Sequence, residues 1–217
     1  MKKSIVIACQ TLQDEIEMIC RDQGITPEIK WMDNTLHAFP EKLKAALQKT
    51  IDTLRDVDEI RLAYGNCGNG LAGLTGNQAT LVIPAFADCI AMLLWKREDM
   101  STLRTNTYFL TQGWLESEKG LEWEMAYNKK RYGEKRAKQI NQILYENYSD
   151  LMLIRTGAYD PESIRSRINL LAHEMEMEVV ESDGDLTPLE NLLLGREDKS
   201  FITVKPGEFS PEYPIGE

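Results

Sequence analysis

The 217-residue chain has no apolar run approaching the ~20 residues that a membrane-spanning helix needs. It is short of basic residues, with 25 Lys and Arg against 35 Asp and Glu for a net charge of −10. That balance repels phosphate backbones and anionic membranes. Its main basic cluster, Lys129-Lys130-Arg131 with Lys135 and Arg136, is interleaved with Glu122, Glu124 and Glu134 and reads as a solvated helix face. Nucleic acid and membrane are therefore not expected partners. The chain has two histidines and four cysteines, and no Cys-x-x-Cys spacing, which excludes a zinc ribbon and a thioredoxin-type motif. Its one glycine-rich segment lacks the Gly-Lys-Ser/Thr of a Walker loop and the Gly-x-Gly-x-x-Gly of a dinucleotide fold.

What is present is ordinary globular composition, 42% hydrophobic and 28% charged, in a chain long enough to bury a sizeable core. Met1-Lys2-Lys3 before Ser4 to Ala8 has the look of a signal peptide. The apolar stretch stops at Cys9-Gln10 with no small-residue cleavage site, so it reads as a first strand and the expected location is cytoplasmic. In a reducing compartment the cysteines are expected as thiols, metal ligands or redox centres.

Apolar β-branched runs at 4–8, 27–32, 59–64, 80–83, 106–110, 151–155, 179–181 and 201–204 predict strands. Between them, periodic segments predict helices from Thr11 to Gly24, from Pro40 past Leu54, over 85–95, over 120–148, over 161–176 and over 187–194. In the long helix, Leu121, Met125, Tyr132, Ile140, Ile143 and Leu144 are placed on the inner side. Strands alternating with helices imply an α/β fold: an open, mostly parallel, Rossmann-like sheet with helices on both faces. The expected organisation is a single domain over 1–205, with an extended tail at 206–217. Two smaller α/β lobes meeting near Ser149 are the alternative.

Ligands of open parallel sheets bind beyond the carboxyl ends of the strands. That rule gives Cys9, Cys67 and Cys89 a common address, whereas Cys20 falls in phase with an apolar helix stripe and reads as core. Tyr64-Gly65-Asn66-Cys67-Gly68-Asn69-Gly70 is the most informative stretch. Its glycines permit positive φ and close approach, making Gly65, Asn66 and Gly68 candidate cofactor-binding positions. Asp88 beside Cys89 is a candidate catalytic or ligand-orienting acid, with plain helix capping as the competing reading; a helix N-terminus there would lower the thiol pKa. His37 is a candidate metal ligand or acid–base group. Trp114 ends another strand, where it either walls a cofactor pocket or packs.

The ordered landmarks Tyr64 to Gly70, Val82-Ile83-Pro84 with Asp88-Cys89-Ile90, and Tyr108-Phe109-Leu110-Thr111-x-Gly113-Trp114 resemble the domain-of-unknown-function 1638 family. Ala8-Cys9 and Leu36-His37 with Pro40 fit its opening part, and the resemblance spans roughly residues 4 to 205. One departure is Ala85-Phe86-Ala87, where family members often carry an Arg-Ala-His-like stretch before the Asp-Cys pair. The family is spread among anaerobic bacteria and methanogens, and its genes often neighbour corrinoid-dependent methyltransferases. The resemblance thus implies one-carbon metabolism, with a corrinoid protein or methyltransferase as partner and a corrinoid reached through that partner.

Two functions from different classes follow. In the first, Cys9, Cys67 and Cys89 hold zinc, or leave one iron of an iron–sulfur cluster open, in the service of methyl transfer. In the second, the chain is a non-catalytic accessory or chaperone module for a methyltransferase or corrinoid protein. A nucleophilic Cys67 or Cys89 working with His37 is a third reading. A homodimer is the expected assembly.

Overall fold

The computed structural model describes residues 3–118, 120–196 and 198–212, the side chains of 37 and 38 excepted. In chain order the elements are β1 (Ser4–Cys9), α1 (Gln13–Gln23), β2 (Ile29–Met32), α2 (Pro40–Thr53), β3 (Glu59–Ala63), β4 (Thr80–Pro84), α3 (Cys89–Leu93) and α4 (Met100–Leu103). They continue with β5 (Thr107–Leu110), α5 (Gln112–Leu115), α6 (Leu121–Tyr132), α7 (Glu134–Leu144), β6 (Asp150–Arg155), α8 (Pro161–Met175), β7 (Glu178–Asp183), α9 (Thr187–Leu194) and β8 (Phe201–Val204). Short 3-10 turns occupy Gln10–Leu12 and Asn34–Ala38. The fold is α/β with mostly parallel sheets, as the alternating pattern predicts.

The chain forms two compact units, residues 1–95 with 185–217, and residues 96–184. The divisions fall at Trp95/Lys96 and Gly184/Asp185. Ser149, near which the two-lobe alternative places a boundary, lies inside the second unit, where its N–H donates to the Asn106 carbonyl at 2.8 Å. The physical reason is that the chain leaves the first unit after α3 and returns to it for α9 and β8.

The first unit is built on a five-stranded sheet of order β2-β1-β3-β4-β8. All neighbours are parallel except β8, which closes the edge antiparallel to β4. One face carries Ile5, Ile7, Cys9, Ile60, Leu62, Leu81 and Ile83 against Leu43, Leu47 and Ile51 of α2. This alternation is what a pleated strand imposes on side chains two residues apart. On the other face α9 packs on β3 and β4 with α1 beside it, and Arg61 donates to the Leu193 carbonyl at 2.9 Å. Pro40 starts α2 in the first turn, where its missing N–H costs nothing. Gly24, at φ 64°, ends α1 and lets Ile25 N–H reach back to the Cys20 carbonyl.

The second unit has a three-stranded parallel sheet of order β5-β6-β7. Its core joins Leu110, Leu151 and Leu153 to Ile164, Ile168, Leu171 and Met175 of α8 and to Leu121 and Met125 of α6. The single long helix expected over 120–148 is broken at Gly133, whose φ of 76° and ψ of 159° start a second helix in a new phase. That reset changes which side faces inward. Ile143 is 69% exposed and Leu144 52%, while Ala137 and Asn141 are buried in their place. Asn141 accepts a 2.9 Å hydrogen bond from the Asn128 amide and so ties α7 to α6. The basic residues 129–131, 135 and 136 are exposed, as their charge pattern predicts. Among the described residues no helix is long and apolar enough to cross a membrane.

Candidate thiol site

The chain runs from β1 outward to β2, then crosses back to β3 on the other side of β1, so the strand order reverses between β1 and β3. In open α/β sheets such a reversal leaves a crevice at the strand carboxyl ends. Cys9 is the last residue of β1 and only 2% exposed. Its Sγ lies 3.0 Å from Thr11 Oγ1. Thr11, the expected start of the first helix, is instead fully buried in the 3-10 turn Gln10–Leu12 that precedes α1.

The loop after β3 is zipped to the loop after β4. Gly65 N–H donates to Cys89 Sγ at 3.2 Å, Asn66 N–H to the Phe86 carbonyl at 2.9 Å, and Cys67 N–H to the Ala87 carbonyl at 3.0 Å. Gly65 is required for this approach: a Cβ there would stand 2.0 Å from the Asp88 carbonyl carbon. Past it, Cys67, Gly68 and Asn69 all take positive φ, at 41°, 67° and 67°. For a cysteine this is an uncommon conformation that the surrounding contacts must hold in place. Asn66 supplies much of the hold, donating to Asn69 Oδ1 at 2.7 Å and accepting from Leu71 N–H at 3.3 Å. The candidate binding role of Asn66 therefore competes with a bracing role that occupies both ends of its amide. Gly68 sits against the Pro40 ring, where a Cβ would meet Cγ at 2.9 Å.

The three thiols are neighbours here. Cys67 hydrogen-bonds to the Cys89 thiol, and Cys9 lies within electrostatic reach of both. Cys67 is half-buried, whereas Cys9 and Cys89 are buried. The Cys89 thiol pKa is raised, first by the hydrogen bond its S–H donates to Cys67 and then by burial. Burial likewise raises Cys9, against the opposing bond from Thr11. The expected lowering of Cys89 by a helix N-terminus is thus overturned, because α3 is only five residues long and its first residue is wholly desolvated. Asp88 is the N-cap of that helix, accepting from Ala91 N–H at 2.8 Å.

One participant escaped notice in the sequence. Tyr64, 1% exposed, puts its ring in the core beside Cys9, and its hydroxyl makes no well-formed hydrogen bond among the described residues. Burial raises its pKa, with contributions from Cys9, Cys89 and Cys67, so a neutral phenol points among three thiols. The signal was available: Tyr64 is the last large residue before the glycines and continues the inward register of Ile60 and Leu62.

Trp114 belongs to the second unit, on α5, where it packs against that unit's core. His37 lies in the 3-10 turn Asn34–Ala38, and its side chain is outside the described residues. Cys20 is half-buried on α1, its thiol pKa raised by burial and by Glu17. A cleft lined by Asp52, Arg55, Asp56 and Asp58 opens at the amino ends of β3 and β4, away from the thiols. Its Asp52 is held by Gln48 and Asn77, and its Asp58 accepts from Lys3 N–H.

Among the described residues, no group of three or more His, Cys, Asp or Glu side chains is gathered into a ready coordination shell. The thiols are neighbours without being converged on one point. The donor set nonetheless suits soft metals, since thiolates select zinc and iron–sulfur centres.

The family model described as "Protein of unknown function (DUF1638)" matches residues 31–193, a span that takes in Cys67, Cys89 and Trp114 and starts after Cys9. No curated protein and no solved structure matches the chain.

Proposed function

The chain belongs to the DUF1638 family, and from that premise we propose that Cys9, Cys67 and Cys89 form a thiolate site for a soft metal. The metal is zinc, or the open iron of an iron–sulfur cluster. The observation that carries this reading is the Tyr64 hydroxyl, buried among the thiols with only a loose contact to the Cys9 sulfur and no well-formed hydrogen bond among the described residues. A native core seldom leaves such a group unmet. Metal binding would deprotonate the cysteines, and a thiolate sulfur is a better acceptor for the phenol than a thiol, while the metal's charge would offset the desolvation of the thiolates. Cys67, the half-buried member, is the side chain with room to be drawn inward. When bound, such a metal supplies Lewis acidity or an activated thiolate.

The service we assign to the site is methyl-group transfer, or an accessory step acting on a corrinoid protein. That assignment is supported by the family resemblance and the thiol chemistry together. The acidic net charge of −10 suits docking to a partner protein rather than to nucleic acid.

The test is metal and sulfide content, with an absorption spectrum, on anaerobically purified protein and its Cys67→Ala variant. Iron and sulfide with broad absorption near ~400 nm, lost in the variant, identifies a cluster; one zinc in colourless protein identifies a mononuclear site. Absence of metal from both, after iron and zinc are supplied during expression, overturns the proposal in favour of a metal-free accessory module.

A further inference from the structure

We infer that Cys67 and Cys89 form a reversible disulfide, and that this bond and a bound metal are alternative states of the same sulfur atoms. The second clause rests on the metal-site reading above; the first does not.

Several observations single out this pair. The backbones that carry the two cysteines are held side by side, since Cys67 N–H bonds to the Ala87 carbonyl two residues before Cys89, and Gly65 N–H bonds to Cys89 Sγ itself. The two thiols are hydrogen-bonded to each other. Their exposures differ in the way a relay needs, with Cys67 half-buried at the loop surface and Cys89 buried behind it. Cys9 is less suited as the partner. Its sulfur faces Thr11 Oγ1, and its backbone is fixed as the last residue of β1, paired with Met32 of β2. Cys20, half-buried on α1, has no thiol among its interacting neighbours and serves as an internal control.

The oxidant is a low-molecular-weight disulfide. The Cys67 thiolate attacks one sulfur of it, forming a mixed disulfide and expelling one small thiolate. The Cys89 sulfur, giving up its proton, then attacks the Cys67 sulfur and expels the second. One protein S–S bond forms and one small-molecule S–S bond breaks. Two protein S–H protons pass to the two expelled thiolates. The protein loses two electrons and the small disulfide gains them. Once bridged, neither sulfur retains the thiolate lone pair that binds a metal, so oxidation empties the site and a small thiol restores it.

The experiment uses the full chain, stripped of metal under anaerobic conditions and then exposed to oxidised glutathione. Thiols are counted and non-reduced peptides mapped by mass. The expected result is a fall from four thiols to two, a Cys67–Cys89 cross-linked peptide lighter by two hydrogens, and recovery of all four with dithiothreitol. In Cys89→Ser the glutathione adduct is expected to stall on Cys67. A lasting adduct on Cys67 of the unaltered protein, a bridge to Cys9 instead, or four thiols remaining would each overturn the pairing. In a parallel arm the protein is first supplied with zinc, which is expected to be bound and to slow bridging at least tenfold. Protein that binds neither zinc nor, when reconstituted with iron and sulfide, a cluster, yet bridges, keeps the disulfide and sinks the metal reading. Protein that binds zinc and never bridges once stripped does the reverse.

Discussion

The backbone N–H of Gly65 lies 3.2 Å from the sulfur of Cys89, with no space for a side chain between Gly65 and the Asp88 carbonyl carbon. Gly65→Ala therefore has to push two loop backbones apart. Overpacking against backbone costs about 1–3 kcal/mol, and the upper end is expected because no flexible side chain is there to yield. Urea denaturation of the variant checks this, and wild-type stability would show that the two loops separate without cost.

Tyr64→Phe removes a hydroxyl that has no well-formed hydrogen bond among the described residues. Metal-free protein should change by no more than about 1 kcal/mol, because a desolvated donor is deleted at the cost of no more than its loose contact to the Cys9 sulfur. The rise in melting temperature on adding zinc should shrink in the same variant. A metal-free Tyr64→Phe protein that loses about 2 kcal/mol or more would show instead that the hydroxyl anchors the fold.

Ser210, 4% exposed, is the point at which the C-terminal segment grips the loop beyond Cys67. Its hydroxyl accepts from Leu74 N–H at 2.7 Å and donates to the Leu71 carbonyl. Ser210→Ala leaves both backbone groups without that partner, at a cost of about 1–3 kcal/mol. Amide exchange should quicken first at Leu74.

Asn128 and Asn141 meet in the core of the α6–α7 pair. Asn141→Ala leaves the Asn128 amide buried without this acceptor and should cost about 1–3 kcal/mol, whereas replacing both with leucine should cost less than the two single changes summed. A double-mutant cycle by thermal denaturation measures the difference. Additive costs would mean that the pair is not coupled.

Alkaline pH should destabilise the second unit through Tyr108, whose rings of contact are Tyr145 and Tyr148. Burial, with Glu124 and Tyr148, pushes its pKa up to about 12 from an ordinary 10.0. The unfolded chain releases this proton first. Stability contributed by the neutral phenol is thus complete below pH 10 and is lost as pH rises toward 12, by an amount on the order of 1–2 kcal/mol. Tyr108→Phe should flatten that part of a stability–pH profile, and an unchanged slope would assign the effect elsewhere.

Local pattern made much of this fold readable. Val6, Ile7 and Ala8 sit in a short buried strand, Pro40 opens a helix, and Thr187 to Leu194 forms a helix over the span its sequence suggests. The helix over 120–148 was misread because Gly133 looks tolerable inside a periodic stretch, and only its backbone angles reveal the reset that turns Ile143 outward. That Cys9, Cys67 and Cys89 lie near the same strand ends could be inferred from the rule for open sheets. The raised thiol of Cys89 could not, because burial and its bond to Cys67 depend on distances no spacing encodes. Trp114 lies at the end of a strand of the second sheet, and whether it packs or walls a pocket is not written in its spacing. The places where the two units divide were not legible, because α9 and β8 resemble the elements just before them yet return to the first sheet.

That return governs how the protein is made. During synthesis β1 to β4 emerge with the thiol loops, but β8 and Ser210 follow only after the whole of the second unit has been translated. Until then β4 presents an unpaired edge and the loop beyond Cys67 lacks its clasp. The first unit is thus completed only by elements that follow the second. A nascent chain cut short before residue 201 would leave a thiol-bearing sheet open to aggregation or stray oxidation, so quality control has a clear hallmark of an unfinished molecule.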